Sequence, residues 1–377
     1  MKFEINVSDL KQATGEVSKG LGSAKLNEIF GGLLIETNND FITLTATDGI
    51  IRIEKNIKAD IYEQGTELVN AEMFSGVINQ LNTNEAVTIY SKDNSLHIKS
   101  KRINVKQKIF ERINYPKVDS TTENANTITI NATDFACAVN RALVCVSKDD
   151  SRPIMRGVNI SYTNGKINIV GCDGYKLAKS TLSNFNANKD IDNNFNVTIP
   201  SRAMAIAQSV CTNSENINLT FEKSKLIIST NDTKIYSGLL DDKYFDINRI
   251  IPNGFKFSAM VNVSDLRQAL NLSLVVGHGN FANISKINIP TTDNGGIIKI
   301  LANAATADCD TEITAKFDTT GTKDFTIGMN TNYMLDCFKT IKNDDIKLNF
   351  NENNKPMVIT STENDNYLFL ILPVRIQ

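Results

Sequence analysis

The chain is poor in the residues that build most catalytic and metal centres. Its 377 residues include no tryptophan and only two histidines, His97 and His278. A histidine-based metal site or a Ser-His-Asp triad is therefore poorly supplied. The six cysteines are scattered without a C-x-x-C pair, which favours reduced, mostly buried thiols over a metal site or a disulfide framework.

Common catalytic motifs are missing as well. No P-loop, G-x-G-x-x-G, H-E-x-x-H or G-x-S-x-G segment occurs. Carboxylates are plentiful, but no repeated pair of them stands out. The sequence therefore predicts no catalytic residue, no metal and no cofactor. An enzyme of unknown chemistry stays open as an alternative that rests only on the abundance of carboxylates.

Long apolar runs and a large excess of one charge are also absent. No run of ~18 apolar residues occurs, so no membrane span is expected. The opening MKFEINVSDL lacks the apolar core of a secretion signal, and we expect a cytoplasmic protein. A net charge of −2 excludes a protein coated all over in positive charge, but it leaves room for a local basic surface.

What the chain has in quantity is self-similarity. The segments INVSDLKQA, INATDFACA and VNVSDLRQA begin at residues 5, 130 and 261. Each combines the end of an apolar strand with a Ser or Thr that we expect to cap a helix: Ser8, Thr133 and Ser264. In each third of the chain, alternation around a polar turn then predicts an antiparallel hairpin, at 31–49, 156–174 and 285–305.

A second helix is expected in each third, with Asn70, Ser201 and Asn330 as candidate caps. The six helix starts, near 8, 71, 133, 201, 264 and 330, are 62–68 residues apart, so each third is itself doubled. We predict an α+β fold of three tandem domains, each a doubled unit of strand, helix and further strands. The expected domains are 1–125, 126–254 and 255–377.

These segments resemble the bacterial β sliding clamp family, the processivity subunit of DNA polymerase III. The resemblance spans the whole chain and rests on the MKFEIN start, the three helix openings, CDGYKLA, IGMNTNYMLD and the terminal YLFLILPVRIQ. It implies a head-to-tail homodimer that closes as a ring around double-stranded DNA, with helices lining the hole and sheets outside. The implied partners are the replicative polymerase catalytic subunit, the clamp loader, and other polymerases and repair proteins. A nucleoid-associated location is implied too.

The size of such a ring favours two copies of the chain. Helices are ~10 Å thick and pack ~8–10 Å apart, so a circle of six leaves roughly 8 Å clear and a circle of twelve leaves roughly 26 Å. B-DNA is on the order of 20 Å across. One chain is therefore too small to encircle a duplex, whereas two suffice.

Basic residues recur on five of the six predicted helices, and the resemblance implies that they face DNA. A solvated helix face is the ordinary interpretation of any one of them, and recurrence favours the functional one. Contacts of this kind to phosphates are sequence-blind, as a sliding ring requires. Lys25 stands where many clamps carry an Arg, although nearby Glu28 weakens phosphate contact. The DNA-facing candidates are Lys11, Lys19, Lys25, Arg141, Lys148, Arg202, Arg267, Lys339 and Lys342.

The resemblance also implies an apolar pocket for a short partner peptide that carries a Gln and apolar anchors. The apolar positions are otherwise ordinary core positions, whereas Tyr175 and Lys176, bulky groups beside a turn, are the more telling pair. Phe245 stands where the family carries Pro, which shifts the expected peptide preference. The pocket candidates are Met155, Cys172, Gly174, Tyr175, Lys176, Leu177, Phe245, Ile250, Asn330, Tyr333, Pro356, Met357, Leu370, Leu372 and Arg375.

A second hypothesis stays open at this stage. A diverged, clamp-like scaffold would bind peptides without being loaded at replication forks. The thin basic coverage of the helices and the presence of Glu28 motivate it.

Overall fold

A computed structural model shows two compact units. The first comprises Met1–Ala136, Asn184–Asp192 and Arg202–Leu239, and the second comprises Cys137–Ser183, Asn193–Ser201 and Leu240–Gln377. The structure describes residues 1–25, 27–101, 103–116, 125–188, 195–277, 283–290, 296–303, 307–318, 324–363 and 366–376.

Six α-helices begin within one residue of the predicted starts. They are α1 Val7–Val17, α2 Ala71–Gln80, α3 Ala132–Leu143, α4 Ser201–Val210, α5 Val263–Val276 and α6 Thr331–Phe338. Each of α1 and α5 buries one stripe of its surface. In α5 the stripe is Val263, Leu266, Ala269, Leu270 and Ser273, whose spacing of three and four residues is that of an amphipathic helix.

The predicted helix caps are partly confirmed. The side chains of Asn70 and Asn330 accept hydrogen bonds from the main-chain N–H groups of Met73 and Tyr333, as expected for caps.

The other four cap predictions are wrong. For Ser8, Thr133 and Ser264, the asparagine at the end of the strand takes the place assigned to Ser or Thr. Asn131 accepts from the N–H groups of Thr133 and Asp134, and Asn262 does the same for the corresponding residues of α5. Asn6 is at the N-cap position of α1 instead of Ser8. Ser201 is the first residue of α4 and does not precede it.

The strands differ in how far they show the predicted alternation, which is clear in Lys2–Asn6 and Ile284–Ile289, whereas Gly32–Thr37 is buried over most of its length. In chain order they are β1 Lys2–Asn6, β2 Gly32–Thr37, β3 Phe41–Thr47, β4 Ile51–Lys58, β5 Asp60–Glu63, β6 Gly65–Asn70, β7 Ala86–Lys92, β8 Ser95–Ser100, β9 Ile103–Phe110, β10 Asn126–Asn131, β11 Gly157–Thr163, β12 Lys166–Cys172, β13 Lys176–Leu182, β14 Phe185–Ala187, β15 Phe195–Pro200, β16 Asn216–Phe221, β17 Lys225–Ser229, β18 Thr233–Gly238, β19 Phe257–Asn262, β20 Ile284–Ile289, β21 Gly296–Asn303, β22 Asp308–Phe317, β23 Phe325–Asn330, β24 Asp345–Phe350, β25 Met357–Ser361, β26 Tyr367–Ile371 and β27 Pro373–Val374.

Each unit is built on one antiparallel sheet. The first has the order β14-β10-β16-β17-β18-β4-β3-β2-β6-β9-β8-β7-β1-β5, and the second β15-β11-β12-β13-β26-β25-β24-β19-β22-β21-β20-β23-β27. The three predicted hairpins are β2–β3, β11–β12 and β20–β21. In the first unit α1 packs on α2, β3 and β4, and in the second α5 packs on α6, β21 and β22. The fold is thus a repeated layer of helices on sheets.

Cross-strand pairing in the second unit aligns four apolar residues in one row. Cys172 of β12 is opposite Leu177 of β13, which is opposite Leu370 of β26, and Leu370 is opposite Val358 of β25. Directly opposed residues share a face of the sheet, so this row forms one continuous apolar strip. Among the described residues, no helix is long and apolar enough to cross a membrane.

Candidate functional site

The turn between β12 and β13 is held by its first residue, Asp173. Its Oδ1 accepts hydrogen bonds from the N–H groups of Tyr175 and Lys176, both at 2.8 Å. Gly174 has a φ of +91°, which residues with a side chain rarely adopt. The remaining oxygen, Oδ2, accepts from the Lys176 ammonium at 2.8 Å. The turn therefore has a fixed main chain and its own buried ion pair.

Lys176 is only 7% exposed, so it is not the outward-pointing contact that the sequence led us to expect. Its Nζ lies 4.7 Å from the centre of the Tyr333 ring, within the range of a cation–π interaction. Burial lowers the pKa of Lys176, but the hydrogen bond and charge of Asp173 outweigh this and raise it above the usual value of 10.5. Lys176 therefore stays charged and holds the tyrosine ring beside the turn.

Tyr175 is the exposed member of the turn, with 61% of its surface accessible. Its ring centre lies 6.1 Å from that of Tyr333, and its carbonyl oxygen accepts a hydrogen bond from the N–H of Leu372 at 2.9 Å. Asn330 fixes the start of α6 and thereby the position of Tyr333. The structure thus brings together four predicted pocket residues in addition to Gly174 and Lys176 of the turn, namely Tyr175, Asn330, Tyr333 and Leu372.

A recess of about 850 Å³ opens beside these residues, and we call it the entrance recess. Its walls come from the end of α3 and the chain after it, from the Asp173–Lys176 turn, and from α6. The residues that line it are Leu143, Val144, Val146, Ser147, Lys148, Asp149, Ser151, Arg152, Asp173, Gly174, Tyr175, Lys176, Tyr333, Asp336 and Lys339. It is polar and mixed in charge, which suits a site that orients a ligand rather than buries it.

An apolar cluster is built on the apolar strip of the second sheet. It contains five predicted pocket residues: Cys172, Leu177, Phe245, Leu370 and Leu372. Phe245 stacks on Tyr244 with 4.6 Å between ring centres. The other members are Val170, Tyr244 and Val358, with Ile154, Ile247, Ile251 and Leu368 packed against them. Burial in this cluster raises the pKa of the Cys172 thiol to about 11, so the thiol stays protonated at neutral pH.

The prediction for Met357 is wrong. Met357 is fully buried in the separate core beneath α5 and α6, and its neighbour Val358 faces the apolar cluster. Successive residues of a strand point to opposite faces, so the register of β25 decides which of the two faces the cluster. That register follows from the pairing of Val358 with Leu370, which a single sequence does not show.

Other predicted pocket residues lie at or outside the edge of the apolar cluster. Met155 and Ile250 are not part of it, and their neighbours Ile154 and Ile251 pack there instead. Ile250 and Pro356 line a separate recess of about 570 Å³. Arg375 is exposed. Sequence reasoning also missed Tyr244, for which the adjacent aromatic residues at 244 and 245 were the available signal.

Two predicted DNA-facing bases form equivalent helix-to-helix contacts. Lys11 of α1 donates to the carbonyl oxygen of Asn79 near the end of α2, at 3.0 Å. Arg267, the matching residue of α5, donates to the carbonyl oxygen of Phe338 at the end of α6, at 2.8 Å. Positive charge near a helix C-terminus is favourable, so both residues fasten the helix pair of their repeat.

Four further bases are engaged within the chain. Lys19 donates to Ser209, Arg202 pairs with Asp48, and Lys339 pairs with Asp336. The Arg141 guanidinium lies 4.1 Å from the centre of the Tyr367 ring. Lys25, Lys148 and Lys342 are exposed and have no ion pair with a described residue.

Several of these bases are not on the helices assigned to them. Lys148 lies after the end of α3, Lys339 and Lys342 follow α6, and Lys19 is in a short 3-10 turn after α1. The sequence pattern overestimated α3 and α6 because buried residues continue past the last helical turn, as Cys145 does after α3 and Ile341 after α6. The DNA-facing role of all nine bases stays a prediction.

Models of one known protein family match almost the whole chain. Sequence models of the DNA polymerase III beta subunit match as its N-terminal domain at residues 1–119, its central domain at 129–246 and its C-terminal domain at 248–375.

The chain belongs to the DNA polymerase III beta subunit family.

Curated relatives in this family have modest identity over their full length. The beta sliding clamp of Streptococcus pneumoniae is 25% identical over 99% of both chains, and that of Bacillus subtilis is 23% identical over 100% of both.

Solved structures show the same three-domain clamp fold. The DNA polymerase beta subunit of Streptococcus pyogenes and the sliding clamp of Bacillus subtilis each superpose with a TM-score of 0.90 at 22% identity over all of both chains. The beta subunit of Thermotoga maritima gives 0.88 at 19%. At these identities the structural likeness establishes the fold.

Proposed function

We propose that this chain is the sliding clamp of a bacterial replicative DNA polymerase, a non-catalytic processivity factor that encircles duplex DNA without sequence specificity. The observation that carries this proposal is the match of the three beta-subunit domains, one after another, along the chain. The apolar cluster beside the exposed Tyr175 supplies the second function of a clamp. It holds peptides of the polymerase catalytic subunit, the clamp loader and other partners.

The ring is proposed to close through two free strand edges. In the first unit, residues 103–108 of β9 pair with β8, and only residues 109 and 110 pair with β6. In the second unit, residues 308–315 of β22 pair with β21, and only residues 315–317 pair with β19, so among the described residues one edge of 308–314 has no partner. Within the described part of the chain, each segment therefore has one edge without a strand partner, which is a template for pairing with another chain.

The two edges have opposite charge. Lys106 and Lys108 project from one face of β9, whereas Asp308, Asp310 and Glu312 alternate along β22. Pairing β9 of one copy with β22 of another brings these rows together and buries both edges. Because each copy carries both edges, two copies close head to tail and leave neither edge free.

The DNA contacts are proposed to be weak and electrostatic. The exposed bases without ion pairs, such as Lys25 and Lys148, are the freest of the candidates to approach phosphates. Lys11 and Arg267 already hold helix ends, so their loss should affect helix packing as well as DNA. Loose, salt-sensitive attraction permits sliding.

The ring is tested by mass and topology. A dimer of the 41.7 kDa chain has a mass of about 83 kDa (twice 41.7) in light scattering. After clamp-loader-dependent loading, the protein should stay on circular DNA and escape when that DNA is cut once. Retention on cut DNA with unblocked ends would contradict topological binding. Peptide binding without any loading would favour the diverged scaffold.

The peptide site is tested with surface variants that spare the core. Leu372→Asp places a charge at a half-buried edge of the apolar cluster, and Tyr175→Ala removes an exposed contact. Both should weaken binding of a peptide containing Gln, Leu and Phe, the first by at least about tenfold, since one buried apolar anchor is worth ~1.5–3 kcal/mol. The dimer should remain intact. Unchanged peptide affinity in both variants would place the site elsewhere.

A further inference from the structure

The second unit carries another recess, of about 590 Å³, next to the apolar cluster. Its floor is a row of polar residues that are cross-strand neighbours on β15, β11, β12 and β13. In that order they are Asn196, Ser161, Asn168 and Thr181. We call this the polar recess.

One chain segment borders both the polar recess and the apolar cluster. Residues 244–248 line the recess, and three of them, Tyr244, Phe245 and Ile247, also pack into the cluster. The strands continue beneath both sites as well. Leu177 of the cluster and Lys179 of the recess are two residues apart on β13 and point to the same face. The recess is therefore a direct extension of the candidate peptide site.

The polar recess carries two positive charges that form no ion pair with a described residue. Lys166 and Lys179 line it, and within the described residues no carboxylate lies within 4 Å of either ammonium group. The one carboxylate in the lining, that of Asp246, pairs with Arg249 at 3.3 Å. Burial, and then the charge of Lys166, lowers the pKa of Lys179. A bound anion would offset both effects, because a nearby negative charge favours the charged form of a lysine.

The distances suit a peptide that continues from the apolar cluster. An extended chain advances about 3.3 Å per residue, so Lys179 lies about 7 Å along the strand from Leu177 and Lys166 about 20 Å. Two to six residues beyond an apolar anchor therefore reach the two lysines. Asn and Thr side chains on the floor supply donors that a carboxylate accepts.

We propose that the polar recess binds the acidic flank of the partner peptide whose apolar anchors occupy the adjoining cluster. This inference rests on the proposed function of that cluster. Asp or Glu side chains in the flank bind Lys179 and Lys166 and raise affinity for partners that carry them. The recess thus ranks competing partners by the charge beside their anchors.

The test uses synthetic peptides and the full dimeric protein. A core peptide with Gln, Leu and Phe is compared with versions that add three Glu, or three Gln, after a two-residue spacer on either side. The Glu extension on one side should tighten Kd about 3- to 10-fold at low ionic strength, as expected for partly desolvated charge-assisted contacts. The gain should shrink as salt rises.

Lys179→Gln should remove the gain and leave the Kd of the core peptide unchanged. Lys316→Gln is the matched control, because Lys316 is on the same face and in the same cross-strand row, five strands away from Lys179 along the sheet. At about 4.8 Å per strand this is about 24 Å distant, so Lys316→Gln should keep the full gain.

Two results would overturn the proposal while leaving the peptide site intact. One is a core peptide that binds while neither Glu extension improves on its Gln control. The other is a gain that persists in Lys179→Gln or is lost equally in Lys316→Gln. If the core peptide itself fails to bind an intact dimer, the proposed function of the apolar cluster fails, and this inference fails with it.

Discussion

Residues 48–51 and 173–176 occupy the same place in two repeats, and their main chains match closely. In both turns the glycine has a φ of +91°. The Oδ1 of the aspartate accepts from the two N–H groups after the glycine, at 2.9 and 2.6 Å in the first turn and 2.8 Å for each in the second. The carbonyl oxygen after each glycine accepts a hydrogen bond from a later part of the chain. Ile50 accepts from the N–H of Gly238, and Tyr175 accepts from the N–H of Leu372.

The contents of the two turns differ. In the first, the fourth residue is Ile51, which is buried, and Asp48 pairs with Arg202 of α4. In the second, the fourth residue is Lys176, which pairs with Asp173 in its own turn. The same backbone therefore serves as a fastening point in one repeat and as a self-contained wall of a recess in the other.

The comparison shows how a repeat acquires a binding site without a new fold. Arg202 also donates to the carbonyl oxygens of Lys19 and Leu21, both at 2.9 Å, so the first turn is tied to two other segments. In the second turn the lysine satisfies the aspartate locally. Tyr175 and Tyr333 are then left beside an open space of about 850 Å³.

The largest expected effect comes from Asp173→Asn. It leaves the Lys176 ammonium buried without its carboxylate, and we expect the free energy of unfolding to fall by about 2–4 kcal/mol. The matched Asp48→Asn should cost about 1 kcal/mol or less, since the Arg202 side chain is 47% exposed and keeps two carbonyl partners. Urea denaturation of both variants measures the difference, and equal costs would contradict the contrast between the turns.

The cost of Asp173→Asn should also depend on pH. The pKa of Lys176 is raised in the folded protein, so its pair contributes stability that is fully present below pH 10.5 and is lost as the pH rises through the folded value. The gap between wild type and variant should therefore be constant from pH 7 to 9 and narrow above about 10.5. A gap that grows with pH would exclude the ion pair as its cause.

Alanine at the two glycines should give the next largest effect. Both have positive φ, which costs a residue with a side chain about 1–2 kcal/mol. An added Cβ at Gly49 would lie 3.1 Å from the Phe30 ring, whereas at Gly174 the nearest atom is the flexible Arg152 guanidinium at 3.5 Å. Gly49→Ala should thus have the lower melting temperature. The reverse order would mean that the entrance recess is tighter than its geometry indicates.

Arg202→Gln should have a smaller effect. It removes the ion pair with Asp48 and weakens the bonds to two carbonyl groups, and we expect a loss of about 1 kcal/mol. Peptide affinity should not change, since the first turn is not part of the peptide site. If Arg202 served mainly to bind DNA, the variant would keep its stability and lose retention on circular DNA in moderate salt instead.

Much of the fold could be predicted because the sequence repeats itself, so an element recognised in one repeat indicates the equivalent element in the others. Three matched openings fix where helices begin, and the hairpins follow from alternation between apolar and polar residues. The side chains of the site were harder, because they depend on strand register. Val358 and Met357 are equally apolar, and only pairing with Leu370 decides between them. The burial of Lys176 was missed because its partner Asp173 looked like an ordinary turn residue.

The smallest expected effect comes from giving the first turn the exposed residue of the second. Ile50 is 64% exposed, so Ile50→Tyr should change the free energy of unfolding by less than about 0.5 kcal/mol. It should not create a second peptide site, since Arg202 holds Asp48 and the turn has no buried lysine to position a facing ring as Lys176 positions Tyr333. The variant is titrated with the core peptide after Leu372→Asp has blocked the original peptide site beside the second turn. No binding should be seen. Binding there would mean that an exposed aromatic on this backbone is sufficient, and that the ion pair within the second turn serves only stability.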